Sequence, residues 1–229
     1  MQKGTLYGVS VGPGDPELLT QKAIRVIREA DVVAVPNIGH KRQTAYEIAA
    51  EYLQGKELLD CPTPMTKDRS AAEASYEAIA DDLCALLEVN KSVAYLCLGD
   101  IGIYSTYIYI HDIVRARGYH AEIIPGVTSF SAAAATLGIA LCEGPERLIV
   151  APVLASDVDE VLTFPGNKVF MKSGKALLEL RDKLKLSGQL DGASMVANCG
   201  LPDEKVFEHF SDVDNDDYFS VVIVKEDAR

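Results

Sequence analysis

Ser10 lies in Gly8-Val9-Ser10-Val11-Gly12, the G-x-S-x-G spacing of a hydrolase nucleophile elbow. Such an elbow needs its serine at the tip of a sharp turn with a helix starting directly behind it. Here Val11 follows Ser10 and the turn comes later, at Gly12-Pro13-Gly14. Asp15 suits a helix N-cap and Pro16 the first helical position, so Ser10 is expected within a strand. Nothing in the spacing ties His40, His111, His120 or His209 to it as a general base. A dinucleotide fingerprint fails as well: from Gly8 it would need glycine at Ser10 and Pro13, and from Gly12 at Glu17. A P-loop ending at Gly174-Lys175 would need glycine at Val169 and a hydroxyl residue at Ala176. What remains is a tight turn whose backbone can approach a ligand. It has two counterparts, Gly99-Asp100 with Gly102 in "YLCLGDIGIYSTY" and Pro125-Gly126 in "EIIPGVTSF".

The elements that carry these turns follow from periodicity. Apolar runs predict strands at 6–11, 32–36, 58–61, 93–98 and 122–125, with helices at 16–30, 44–53, 70–88 and 104–117 between them. Alternating strands and helices imply a mostly parallel sheet, with all three glycine turns on its carboxyl edge, where open α/β sheets bind ligands. Beyond Gly126 the pattern changes. A small-residue helix at 128–137 precedes strands at 147–151, 168–172, 193–197, 205–209 and 219–224 and one helix at 175–186. The last strands follow one another without helices, so this half is expected to be a mixed sheet. The fold class is therefore two α/β domains, 1–124 and 125–229.

Composition limits the partners. Hydrophobic residues make up 48% of the 229 residues, ample for buried cores. No apolar run is long enough to span a membrane and no signal-peptide pattern opens the chain, so a cytoplasmic protein is expected. The five cysteines are widely spaced, and neither they nor the histidines show metal-ligand spacing. A net charge of −12 argues against nucleic acid as a partner. It leaves room for a small anion, because local basic loops can focus the field at one cleft. Two such loops follow the second and third strands, "GHKRQT" (39–44) and "MTKDR" (65–69), with His40, Lys41, Arg42, Lys67 and Arg69 available for carboxylate pairing.

"GVSVGPGDPELLT", "LGDIG" and "PGVTS", in this order and spacing, resemble the signatures of the tetrapyrrole methylase family, the S-adenosylmethionine-dependent enzymes of cobalamin and sirohaem synthesis. The likeness is dense up to Leu137 and thinner beyond Val150. "PMTKD" (64–68) and "IYSTY" (103–107) are most similar to the branch that methylates C20 of precorrin-2 or cobalt-precorrin-2. Two positions depart from the pattern: Ser10 stands where the family usually has glycine, and Ile101 where it usually has proline.

The resemblance implies S-adenosylmethionine in a cleft between the two domains, S-adenosylhomocysteine as product, and a homodimer. Carried over by motif, the cofactor contacts are Pro13, Leu98, Gly99, Asp100, Ile103, Thr128, Ser129, Met171 and Cys199. Methyl transfer to an electron-rich meso carbon needs in-line placement and exclusion of water more than a protein nucleophile. A base must then take the C20 proton, for which Asp100 and Tyr104 are the candidates; the alternative for Asp100 is that it only orients its own loop. The basic loops would hold the substrate's carboxylates. Also open are a different ring carbon, a diphthamide-type substrate, or a cofactor-binding protein without turnover.

Overall fold

The computed structural model describes residues 3–38, 41–42, 44–63, 66, 68–215 and 219–226. They form two compact units, 1–128 and 129–229. The division lies at 128/129 where 124/125 is expected, and the Gly126 amide donates to Asp100 within the first unit.

The first unit contains β1 (Thr5–Ser10), α1 (Gln21–Glu29), β2 (Val32–Ile38), β3 (Lys41–Arg42), α2 (Thr44–Ala49), β4 (Glu57–Pro62), α3 (Arg69–Glu88), β5 (Val93–Cys97), α4 (Tyr107–Ala116) and β6 (His120–Ile124). Its sheet runs β3-β2-β5-β1-β6, with β4 also paired to β2, and every pairing is parallel except β2 with β3. Alternate residues of the buried strands face two separate cores. Leu6, Val93 and Tyr95 pack with Ile79, Leu83 and Leu87 of α3 and Ile110 of α4. Val9, Ala94 and Leu96 pack with Val26 and Ile27 of α1 and Ile48 of α2.

Gly8 lies on the α3/α4 face of β1 because Tyr107 needs the room. A Cβ at Gly8 would lie 2.2 Å from Tyr107 Cε1. The Tyr107 ring is buried there, 5.0 Å from that of Tyr95, with its hydroxyl 3.4 Å from His111 Nδ1.

Three elements differ from the periodicity. The helix expected over 16–30 is interrupted: Pro16–Leu18 form a single 3-10 turn, Leu19 and Thr20 are extended, and only then does α1 begin. Two caps in succession cause this. Asp15 accepts from the Glu17 amide at 2.8 Å, and Thr20 Oγ1 accepts from the Ala23 amide at 3.1 Å, while Leu19 turns into the core. Lys41 and Arg42, expected in a loop, pair antiparallel with Ile38 and Asn37 as the chain folds back on β2. The third is a helix in the second unit for which the sequence gives no periodic signal. α6 (Val158–Thr163) is only six residues long with two buried positions, Val158 and Leu162, and is started by Asp157, which accepts from the Asp159 and Glu160 amides.

The second unit also holds α5 (Ser129–Leu137), β7 (Leu148–Pro152), β8 (Asn167–Met171), α7 (Leu177–Leu186), β9 (Ala193–Ala197), β10 (Lys205–Phe207) and β11 (Val221–Val224). Its sheet, β10-β9-β11-β8-β7, is mixed as expected: β7 and β8 are parallel, and β11 runs antiparallel to both β8 and β9. The buried alanines of α5 let that helix pack closely on β9 and β11. Phe170, Met195 and Val222 form a core with Leu177, Leu180 and Leu184 of α7. No described helix is long and apolar enough to cross a membrane.

The connection between α5 and β7 is tied to the sheet by Glu146. Its carboxylate accepts from Lys225 Nζ at 2.9 Å, the Glu143 amide at 2.9 Å and Asn167 Nδ2 at 2.8 Å. Lys225, then the amide and Asn167, stabilise the charged form and pull the Glu146 carboxyl down to about 2. A carboxyl depressed in the folded state contributes stability above its unfolded value, near 4.3, and loses it as the pH falls toward 2. In thermal unfolding between pH 7 and 2, Glu146→Gln should therefore lower the midpoint at neutral pH and flatten its fall in the acid window. Parallel pH profiles for variant and parent would contradict this role.

Candidate active site

A parallel sheet delivers the ends of β1, β2, β4, β5 and β6 to one edge, so the described segments 11–20, 98–106 and 125–128 all start there. The neighbours β1 and β5 continue into helices on opposite faces, α1 with one core and α4 with the other. Loops that part in this way open the crevice in which doubly wound sheets bind ligands. The backbone joins the two loops directly: the Gly99 amide donates to Gly12 O at 2.7 Å and the Gly12 amide to Gly99 O at 3.2 Å.

Asp100 brings in the third loop. Oδ1 accepts from the Gly102 amide at 2.8 Å, and Oδ2 accepts from the Gly126 amide at 2.8 Å. The Ser10 hydroxyl lies 3.5 Å from Oδ2 and accepts the Ile101 amide at 3.0 Å. The end of β1 and the loops after β5 and β6 thus converge on one carboxylate. Gly126 is obligatory here, since a Cβ would stand 2.6 Å from Ser10 Cβ. Both Asp100 oxygens hold backbone donors, the arrangement of a loop organiser.

Ser10 is a fully buried strand residue, as its position in the sequence implies. His111 faces Tyr107 in the core and His120 bonds Glu122 at the surface, so neither serves Ser10, and His209 is exposed in the second unit. Tyr104, in the turn before α4, is 41% exposed and takes a left-handed backbone (φ 53°), a costly conformation for an aromatic residue that is typical of functional loops.

In the second unit β7, β8 and β9 run in one direction, which places Met171, the last residue of β8, and Cys199, two residues beyond β9, at the same sheet edge. Each strand is followed by a left-handed non-glycine residue, Lys172 (φ 51°) and Asn198 (φ 52°). Asn198 is held by Nδ2 donating to Asp203 at 2.8 Å, and the Gly200 amide is held by Glu204 at 2.7 Å. Cys199 Sγ lies 3.9 Å from Thr136 Oγ1, and burial pushes its thiol up to about 11.

The family model of the Tetrapyrrole (Corrin/Porphyrin) Methylases matches residues 5–212. This chain is a tetrapyrrole methylase. It is 33% identical, over 98% of its length and 97% of the relative's, to the probable cobalt-precorrin-2 C(20)-methyltransferase of Methanocaldococcus jannaschii. It is 32% identical to the cobalt-precorrin-2 C(20)-methyltransferase of Salmonella typhimurium over 97% of both chains. In fold it resembles the uroporphyrin-III C-methyltransferase of Thermus thermophilus complexed with S-adenyl homocysteine, with a TM-score of 0.73, 21% identity and coverage of 97% of this chain and 98% of that one.

Within this methylase fold, Pro13, Leu98, Gly99, Asp100, Ile103 and Thr128 all come to the loops on the carboxyl edge of the first sheet. Ser129 opens α5 in the second unit. Of the basic residues, His40 and Lys67 lie outside the described residues, and Lys41 and Arg42 form β3 at the same edge. Arg69 opens α3 and pairs with Glu73 at 2.8 Å, but this ion pair is almost fully exposed and holds the side chain only weakly. Asn37 carries no pattern that would single it out in the sequence. It stands at this edge between β3 and β4, and its Oδ1 is buried without a hydrogen-bond partner among the described residues.

The neutral, buried Cys199 thiol should resist alkylation. With iodoacetamide at pH 8, peptide mass mapping of the native protein should find the exposed Cys142 labelled and Cys199 unlabelled until the protein is denatured. Comparable rates at the two positions would contradict the burial of Cys199.

Proposed function

We propose that this chain transfers a methyl group from S-adenosylmethionine to the C20 meso carbon of precorrin-2 or cobalt-precorrin-2, as a homodimer in cobalamin synthesis. The observation that carries the reading is the convergence of three glycine loops at the β1/β5 crevice, in a chain matched along nearly its whole length by C20-methyltransferases. The sulfonium methyl supplies the electrophile: as the C20–methyl bond forms the methyl–sulfur bond breaks, leaving a neutral thioether and a cationic macrocycle that must lose the C20 proton.

The chain's part is placement. Backbone groups of Leu98, Gly99 and Asp100, with Pro13, Ile103 and Thr128, would line the cofactor on the first unit; Ser129, Met171 and Cys199 are the second-unit contacts that the family resemblance implies. Peptide groups held by other peptide groups cost little reorganisation when the ligand binds, which favours the in-line geometry that the displacement requires. Asp100 serves as the organiser of these loops. That leaves Tyr104, at the exposed end of the same loop, as the residue to relay the C20 proton. His40, Lys41, Arg42, Lys67 and Arg69 would pair with the substrate's carboxylates, each charge-assisted bond contributing about 1.5–3 kcal/mol where it is desolvated.

Incubation with precorrin-2 or its cobalt form and ¹³C-methyl S-adenosylmethionine tests the reading. NMR of the product should place a single labelled methyl on C20, with S-adenosylhomocysteine released in equal amount. A methyl on another ring carbon would assign a different step to the enzyme. No transfer to either substrate, despite measurable S-adenosylhomocysteine binding, would make it a cofactor-binding protein without this activity.

A further inference from the structure

The cofactor contacts implied for the Gly99–Ile103 loop leave out Ser10 and Ile101, the two positions at which the sequence departs from the family's motifs. The structure joins these two residues to each other. Ile101 occupies the second position of a tight turn closed by the Ile103 amide donating to Asp100 O at 3.2 Å. Proline is the favoured residue at that position because it fixes φ and brings no N–H. Isoleucine brings a backbone donor, and Ile101 is only 2% exposed, so water does not satisfy it. The Ser10 hydroxyl does, at 3.0 Å, from the end of β1 across to the loop after β5. The same hydroxyl is oriented toward Asp100 Oδ2, at 3.5 Å. The tie therefore reaches the carboxylate that also holds Gly102 and Gly126.

We propose that Ser10 is a positioning residue for methyl transfer, coupled to Ile101: its buried hydroxyl supplies the acceptor that this turn requires and so sets the backbone edge presented to the cofactor. The proposal rests on the reading that this edge binds S-adenosylmethionine. Ser10 itself touches neither cofactor nor substrate in this scheme. Its effect passes through the Ile101 amide and Asp100. Removing the hydroxyl leaves a buried amide without a partner, which the loop relieves by shifting. If proline replaced Ile101 there would be no amide to satisfy, and the same removal would have little effect. A residue that merely filled space would not distinguish the two backgrounds.

A double-mutant cycle reads this coupling directly. S-adenosylhomocysteine affinity is measured by titration calorimetry in the parent, Ser10→Ala, Ile101→Pro and the double variant, with kinetic constants for both substrates. In the Ile101 background Ser10→Ala should weaken S-adenosylhomocysteine binding by roughly fivefold to tenfold. It should raise the KM for S-adenosylmethionine and leave that for the tetrapyrrole unchanged. In the Ile101→Pro background the same substitution should cost less than about twofold. Equal losses in both backgrounds, or parent-like affinity in Ser10→Ala, would overturn the proposal. The parent's own affinity reports on the cofactor reading separately. If the parent binds no S-adenosylhomocysteine, that reading fails, and the proposal falls with it even where amide exchange shows the Ile101 amide losing protection in Ser10→Ala.

Discussion

The Asp100 carboxylate accepts one backbone amide from its own loop, Gly102, and one from the loop after β6, Gly126, each at 2.8 Å. The other features of the first unit's ligand edge depend on this clasp. Hydrogen bonds to a charged acceptor are worth about 1.5–3 kcal/mol each, enough to hold two loops that the sheet itself leaves free beyond its last paired residues. The reciprocal bonds between Gly12 and Gly99 add the loop after β1 to the same frame. Close packing follows from it. With Gly126 drawn in, its Cα lies against Ser10, and no side chain fits between them.

The clasp also separates two roles that residue type alone leaves joined. An aspartate beside such a site can be a base or a loop organiser, and the two backbone amides held by Asp100 give it the contacts of an organiser. A site made of peptide groups suits a reaction whose main requirements are alignment and exclusion of water. Titratable side chains are then needed only at the margin, for the departing proton and for the substrate's carboxylates. The acidic balance of the chain is compatible with this, because basic residues follow β2 and β4 in the chain, and both strands end at the carboxyl edge of the first sheet.

Much of this architecture could be read in the sequence. The central strands β2 and β5 are largely apolar runs and the long helices of the first unit are amphipathic, so period and turn chemistry place them to within a few residues. The glycine loops stood out because three of them end strands in one half of the chain. The misses have local causes. Two competing caps, Asp15 and Thr20, divide one periodic stretch into a 3-10 turn and α1. α6 is too short to show a period, and the pairing of Lys41 and Arg42 with β2 involves too few residues to leave a strand signal. The clasp and the bond from Ile101 to Ser10 join residues 26 and 91 positions apart. No local pattern encodes contacts of that kind. Turn chemistry at the strand ends places the loops, and only the fold shows what fastens them together.

Amide hydrogen exchange in the ligand-free protein, followed residue by residue by NMR in the parent and in Asp100→Ala, tests this account most directly. If one carboxylate fastens the loops, the Gly102 and Gly126 amides should lose protection together in the variant. The Val11 amide, held by Cys97 O at 2.9 Å within the sheet, should keep its protection. Retained protection at Gly126 in Asp100→Ala would show that the loops are held by something other than this clasp, and would contradict the account.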